Sequence, residues 1–195
     1  MLCLERTERD QLDVALTDYW VDTRTGKRFV QHRASITNPI LDAIQINPAI
    51  WRFIFRRVWL VNTRCNFPDL TYAEDLIMLL QLAAEPSAAA WVRPSYYTYS
   101  DADDGRRLSR RVVPAQEVRR VLLHLSALWT EASSHDLRKS IEDWRLRIWV
   151  RNLRRTSMMQ VPTFLSTVGI PREGVNLPTL LRMRRASRRG ANQEI

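Results

Sequence analysis

Few residues of this chain have types and spacing that could do chemistry. Glu74 and Asp75 stand side by side, and Thr71 with Glu74 makes a T-x-x-E pattern, in which both side chains satisfy the free amides of a helix start. Two carboxylates placed there can serve simply as cap and dipole partners, since the helix N-terminus favours negative charge. Upstream, Trp51 offers an indole face suited to a sugar ring, while Arg56 and Arg57 offer guanidinium groups suited to a phosphate. Most tryptophans are core anchors, so that role also stands open for Trp51. One literal D-x-D, Asp101 to Asp103, runs into Asp104 and Gly105 and reads as turn chemistry rather than metal ligation. His32, His124 and His135 are scattered, and Cys3 and Cys65 lack C-x-x-C spacing, so neither a zinc site nor a disulfide framework is indicated.

The elements that must position these residues follow from pattern. Asp13 to Asp22 combines β-favouring residues with alternating polarity and predicts a strand ending near Thr23. Thr25 and Gly26 turn the chain, Arg28 to Arg33 forms a short returning strand, and Asn38 to Gln45 suits a two-turn helix. Pro48 to Leu60, rich in aromatic and β-branched residues, predicts a buried strand. The T-x-x-E pattern then opens a helix through Leu76, Leu79, Leu80 and Ala83 that stops before Pro86. A strand with Tyr96, Tyr97 and Tyr99 on alternating faces follows Pro94. Beyond Gly105 the composition shifts. Val118, Leu122, Leu125 and Trp129 form one stripe of a helix opened by Pro114, and Leu137 to Leu153 forms another, with Ile141, Trp144 and Ile148 inward and arginines outward. The segment from about Arg182 is basic and rich in small residues. Two regions result: an α/β body over 1–110 and a helical, basic region over 111–195.

Composition bounds the function. The chain has 195 residues, 45% hydrophobic and 26% charged, close to the average of globular domains, which favours neither a fibrous nor a disordered class. No apolar run approaches the roughly 18–20 residues of a membrane span, so the expected compartment is the cytoplasm. The net charge of +9 is almost all arginine, with Lys27 and Lys139 the only lysines, and the excess lies after Arg106. Such a balance suits nucleic acid, an anionic membrane face or phosphorylated substrates, and biased base composition alone also produces it.

The order of these segments carries a resemblance. A strand containing TDYW, then NPAIWRFIFRRVWL, then YAEDLIMLLQLA, then PSYYTYS resembles the second, acceptor-side half of family 2 glycosyltransferases of the GT-A fold. In that family an aromatic-basic strand precedes a helix opening with the acidic pair ED, and a tyrosine-rich strand follows. The likeness spans roughly Leu12 to Ser109. It implies a partial GT-A-like mixed sheet with flanking helices, followed by a helical C-terminal extension. It further implies that Asp75 is the catalytic base of an inverting sugar transfer, with Glu74, Trp51, Arg56 and Arg57 on the substrate side. The dipole at the helix start would make Asp75 a weaker base unless burial or a neighbouring carboxylate offsets it.

The chain departs from the family pattern at its start. Family members begin with a nucleotide-binding half whose D-x-D holds a divalent metal, Mg or Mn, on the diphosphate, and nothing before Leu12 is long enough to be that half. Gln116 to Arg120 resembles the Q-x-x-R-W motif of processive synthases, but Arg120 stands in place of the tryptophan. The resemblance thus implies a truncated transferase of polysaccharide biosynthesis, taking a nucleotide-sugar donor and a cell-surface glycan acceptor. The arginines after Arg106 would suit peripheral contact with the anionic inner face of the cell membrane. Alternatives are a noncatalytic interaction module or a basic binder of nucleic acid or anionic surfaces. Nucleic acid is disfavoured because Glu142 and Asp143 interrupt the arginines and no helix-turn-helix or zinc pattern appears.

Overall fold

The computed structural model of the chain describes residues 2–23, 26–30, 38–100 and 112–169. Their order is α1 (Leu2–Arg9), β1 (Val14–Thr23), β2 (Gly26–Val30), α2 (Pro39–Ile46), a 3-10 turn (Ile50–Arg52), β3 (Phe53–Phe55), α3 (Arg57–Thr63), α4 (Glu74–Ala84), β4 (Ala89–Ser100), α5 (Ala115–Glu131), α6 (His135–Arg155) and, after a second 3-10 turn, α7 (Val161–Val168). This is a mixed α/β architecture, a four-stranded sheet with flanking helices.

β1 is the centre of the sheet. One edge takes β2 antiparallel, from Tyr19 opposite Val30 to Thr23 opposite Gly26, and β3 antiparallel, from Val14 opposite Phe55 to Leu16 opposite Phe53. β4 runs parallel to β1 and pairs with the same residues, so it must occupy the other edge. Thr17 faces Val92 and Tyr19 faces Tyr97, so two steps of β1 span five of β4. The surplus forms an irregularity that includes Pro94, which has no N–H to contribute to a ladder.

Side chains of β1 alternate between two apolar layers, as strand geometry requires. Val14 and Leu16 enter the main core, while Ala15 joins Leu12 and Val92 in a smaller cluster. The main core is built on α4, where Leu76 to Leu80, Leu82 and Ala83 are all buried. One apolar face was expected on this helix. It is buried nearly all round because α2, α5 and α6 all pack on it. Each such Leu, Ile or Met contributes about 1.5–3 kcal/mol of burial free energy. Val118, Val121, Leu125, Ile141, Ile148, Trp149 and Leu153 belong to the same cluster, so one core spans both sequence regions.

Three local expectations need correction. Within Pro48 to Leu60 only Phe53–Phe55 is strand, because β1 offers a partner edge only from Val14 to Leu16; past Arg56 the chain coils into α3. The T-x-x-E cap does not form. α4 begins at Glu74 behind Ala73, whose φ of 60° is left-handed and whose side chain caps nothing. Thr71 is instead taken by Glu117 of α5, whose Oε1 accepts the Thr71 amide at 2.6 Å and its hydroxyl at 3.1 Å. The buried stripe of α5 is Glu117, Val118, Val121 and Leu125, which leaves Trp129 on the exposed side, its Nε1 donating to Glu142 at 2.8 Å. The turn at Asp104 and Gly105, the D-x-D at Asp101 to Asp103 and the segment from Arg182 lie outside the described residues.

Candidate functional site

Asp75 is the second residue of α4, at the wall of a cleft of about 640 Å³. Four separate stretches of chain build it. Asn47 to Ala49 follow α2, Thr71 to Leu76 lead into α4, Val112 to Pro114 lead into α5, and Trp144, Ile148 and Arg151 come from one face of α6. Those last three are spaced i, i+4 and i+7, the helical repeat that puts side chains on one line.

Each wall is fixed by contacts that can be traced to sequence. α2 starts at Asn38, whose Oδ1 accepts the Ile40 and Leu41 amides, with Pro39 at the first helical position. Its Nδ2 donates to Ala83 O at 3.3 Å, which ties α2 to the end of α4. The start of α4 is held from α5 through Glu117, which also takes Arg120 Nη1 at 3.0 Å. Burial pushes the Glu117 carboxyl up, but the Thr71 and Arg120 hydrogen bonds outweigh it and hold the pKa below the usual value. Arg120 also donates to Asp69 O. Its role is thus to pin the loop before α4. On the far wall, Asn152 Nδ2 reaches the Tyr72 hydroxyl at 3.4 Å and Ile148 O at 2.8 Å, which joins the loop to α6.

Within this frame Asp75 is half-buried, and its Oδ2 accepts the Ile50 amide at 3.2 Å. Oδ1 has no hydrogen-bond partner among the described residues. Burial raises the Asp75 pKa, the Ile50 amide opposes that rise, and the neighbouring Glu74 charge adds to it. The net direction is up. Burial and a second carboxylate therefore do offset the stabilisation expected at a helix start, and the site holds a carboxylate more basic than an exposed one. Glu74 lines the same cleft.

The other expected substrate residues lie elsewhere. Trp51, in the 3-10 turn beside Ile50, stacks on Tyr97 with centroids 4.3 Å apart and meets Tyr19 edge-on at 5.0 Å. Those contacts anchor it to the sheet, and it does not line the cleft. Arg56 is exposed and pairs with Asp13 at 3.5 Å, and Arg57 is exposed at the start of α3; neither lines the cleft. Among the described residues no group of three or more His, Cys, Asp or Glu side chains could hold a metal ion.

Sequence reasoning missed Tyr72, Trp144 and Arg151 as cleft residues, and it missed Arg52 altogether. Arg52 is fully buried. Its Nη1 donates to Ala43 O at 3.1 Å and Asn47 O at 2.8 Å, and its guanidinium lies over the rings of Tyr19 and Trp91 at 5.2 and 5.6 Å. Burial lowers its pKa, opposed by Tyr19 and Asp18. By holding Asn47 O it fixes the cleft wall after α2. No periodicity marks such a residue, because a run of WRFIFRR shows a basic strand rather than one arginine turned inward. Neither a protein-family model, a curated protein nor a solved structure matches this chain.

Proposed function

We propose that this chain is the acceptor-side portion of an inverting family 2 glycosyltransferase of GT-A type, with Asp75 as its general base. The observation that carries the reading is the half-buried, pKa-raised carboxylate of Asp75 at the wall of an open cleft. The element order around it, a central strand paired with β3 and β4 and followed by the ED helix, supports the same reading.

An acceptor hydroxyl is a weak nucleophile until its proton is taken. In the proposed step the acceptor oxygen lies within hydrogen-bond reach of Asp75 and attacks the anomeric carbon opposite the departing nucleoside diphosphate. The C–O bond to the acceptor forms as the bond to the diphosphate breaks, and the hydroxyl proton passes to the Asp75 carboxylate, then to water. Ile50 N–H holds Oδ2, which orients the carboxylate. Donor binding falls to a nucleotide-binding half supplied in addition to the described residues. The test is a transfer assay with such a half joined ahead of Met1. Asp75→Asn should keep the fold and donor binding and lower transfer by about a hundredfold or more, since the amide cannot accept the proton. Transfer at the parent rate would remove Asp75 from the mechanism.

A further inference from the structure

Glu74 caps nothing in this fold. Its expected partner Thr71 is taken by Glu117, and α4 starts behind Ala73 with no side-chain cap. The Glu74 carboxylate instead lies half-buried at the wall of the Asp75 cleft, and no hydrogen bond or ion pair joins it to the described residues. Two carboxylates thus share one hollow of about 640 Å³, and the Ile50 amide holds a single oxygen of the pair. They sense each other, since the Glu74 charge adds to the rise of the Asp75 pKa. Among the described residues the cation of the wall is Arg151, which comes from α6, has an interaction of its own and is bonded to neither carboxylate. Negative charge therefore stands in excess where water is partly excluded, and there a cation supplied by a ligand is favoured. Beside the acids the wall turns apolar, with Val113, Pro114 and Ile148 along it.

We infer that the cleft selects an amino sugar with a protonated amine and an apolar aglycone, the ammonium on Glu74, a neighbouring hydroxyl on Asp75 and the aglycone against Val113, Pro114 and Ile148. An ammonium group offers only donors and a full charge, so it gains more from a carboxylate than a neutral hydroxyl does. A neutral sugar would leave the Glu74 charge unpaired, and an anionic one would be repelled. On the ring of an amino sugar the amine and a hydroxyl stand on adjacent carbons, which suits two acids on adjacent residues. The inference rests on the reading of the cleft as an acceptor site and names its substrate class: Asp75 keeps the role of base, and Glu74 chooses the acceptor.

Direct binding to the 195-residue chain at about pH 6, where a sugar amine is protonated, tests it. Para-nitrophenyl β-glucosaminide should bind about tenfold tighter than para-nitrophenyl β-glucoside or the N-acetylated glucosaminide, because only the free amine carries a charge. Methyl β-glucosaminide, which lacks the aryl group, should bind about fivefold weaker than the para-nitrophenyl compound. Glu74→Gln keeps the shape and removes the charge, so it should abolish the tenfold preference while changing glucoside binding by less than about twofold. Glu131→Gln, which takes a charge from an exposed position outside the cleft, should leave every affinity within about twofold. Equal binding of the glucosaminide and the glucoside by the parent chain would overturn the inference, and that comparison needs no variant. So would a preference that survives Glu74→Gln, or an equal loss from Glu131→Gln, which would show general charge attraction. Methyl and aryl glucosaminides binding alike would overturn the apolar part. Selective binding that persists while the joined protein transfers no sugar would refute the transferase reading alone, whereas transfer to amine and neutral acceptors with equal kcat/KM would refute the selectivity and leave Asp75 in place.

Discussion

Replacing Glu117 with alanine should destabilise the protein by about 2–3 kcal/mol, although Glu117 lies 46 positions from the residue it holds. The carboxylate accepts two hydrogen bonds from Thr71 through Oε1 and one from Arg120 through Oε2. Hydrogen bonds to a charged group contribute about 1.5–3 kcal/mol each when shielded from water. Thr71 is exposed, so its freed amide and hydroxyl can turn to solvent, and the half-exposed Arg120 pair adds only a few tenths of a kcal/mol. The total therefore stays near the contribution of one shielded bond plus that small pair, about 2–3 kcal/mol. At about 2–4 °C per kcal/mol for a chain of this size, thermal melting followed by circular dichroism near neutral pH should show a midpoint fall of about 4–12 °C. Glu117→Gln should fall between, since an amide oxygen still accepts from Thr71 but carries no charge. The pH dependence supplies a second check. The folded pKa is depressed, so the stabilisation is present above the unfolded value of about 4.3 and is lost as pH falls through the folded value. The difference between parent and variant should thus shrink in acid. A midpoint shift under about 1 °C, or a difference unchanged in acid, would refute the claim that α5 holds the start of α4 through this carboxylate.

Other outcomes follow from the same contacts. Arg52→Ala should cost about 3–5 kcal/mol, as it empties a buried site and strands Ala43 O and Asn47 O, whereas Arg52→Met should cost less by keeping the volume; equal melting of the two would refute this. Asn38→Ala should cost about 1 kcal/mol by removing the cap of α2, measured by urea unfolding. Ala73→Gly should stabilise by about 0.5–1 kcal/mol because its φ of 60° suits glycine, and a lower melting point would contradict that. For the proposed sugar transfer, the acid limb of kcat/KM should lie above the ordinary carboxylate range, since burial raises the Asp75 pKa and the rate would fall as pH drops through it; a limb at the value of an exposed aspartate would deny Asp75 the proposed role.

Local chemistry was legible from the chain alone. The alternation of β1 placed Val14 and Leu16 on one face because a strand side chain has only two directions. The two-turn helix expected from Asn38 to Gln45 is α2, and α4 ended before Pro86, because turn residues and proline act through neighbouring backbone atoms. Asp75 was identifiable as a helix-start carboxylate for the same reason. Tertiary structure decided what depended on distant partners. Thr71 and Glu74 hold a capping pattern, yet Glu117 of another helix took Thr71 and left Ala73 at the cap position. The β propensity of Phe53 to Leu60 produced three strand residues, since only three found an edge on β1. Arg52 turned inward where Arg56 and Arg57 turned out, a choice made by the carbonyls of Ala43 and Asn47 and the rings of Tyr19 and Trp91. Trp144 and Arg151 became cleft residues because α6 packs across α2 and α4. A helical repeat specifies which side chains share a face, but the element that face meets is set by packing across the whole chain.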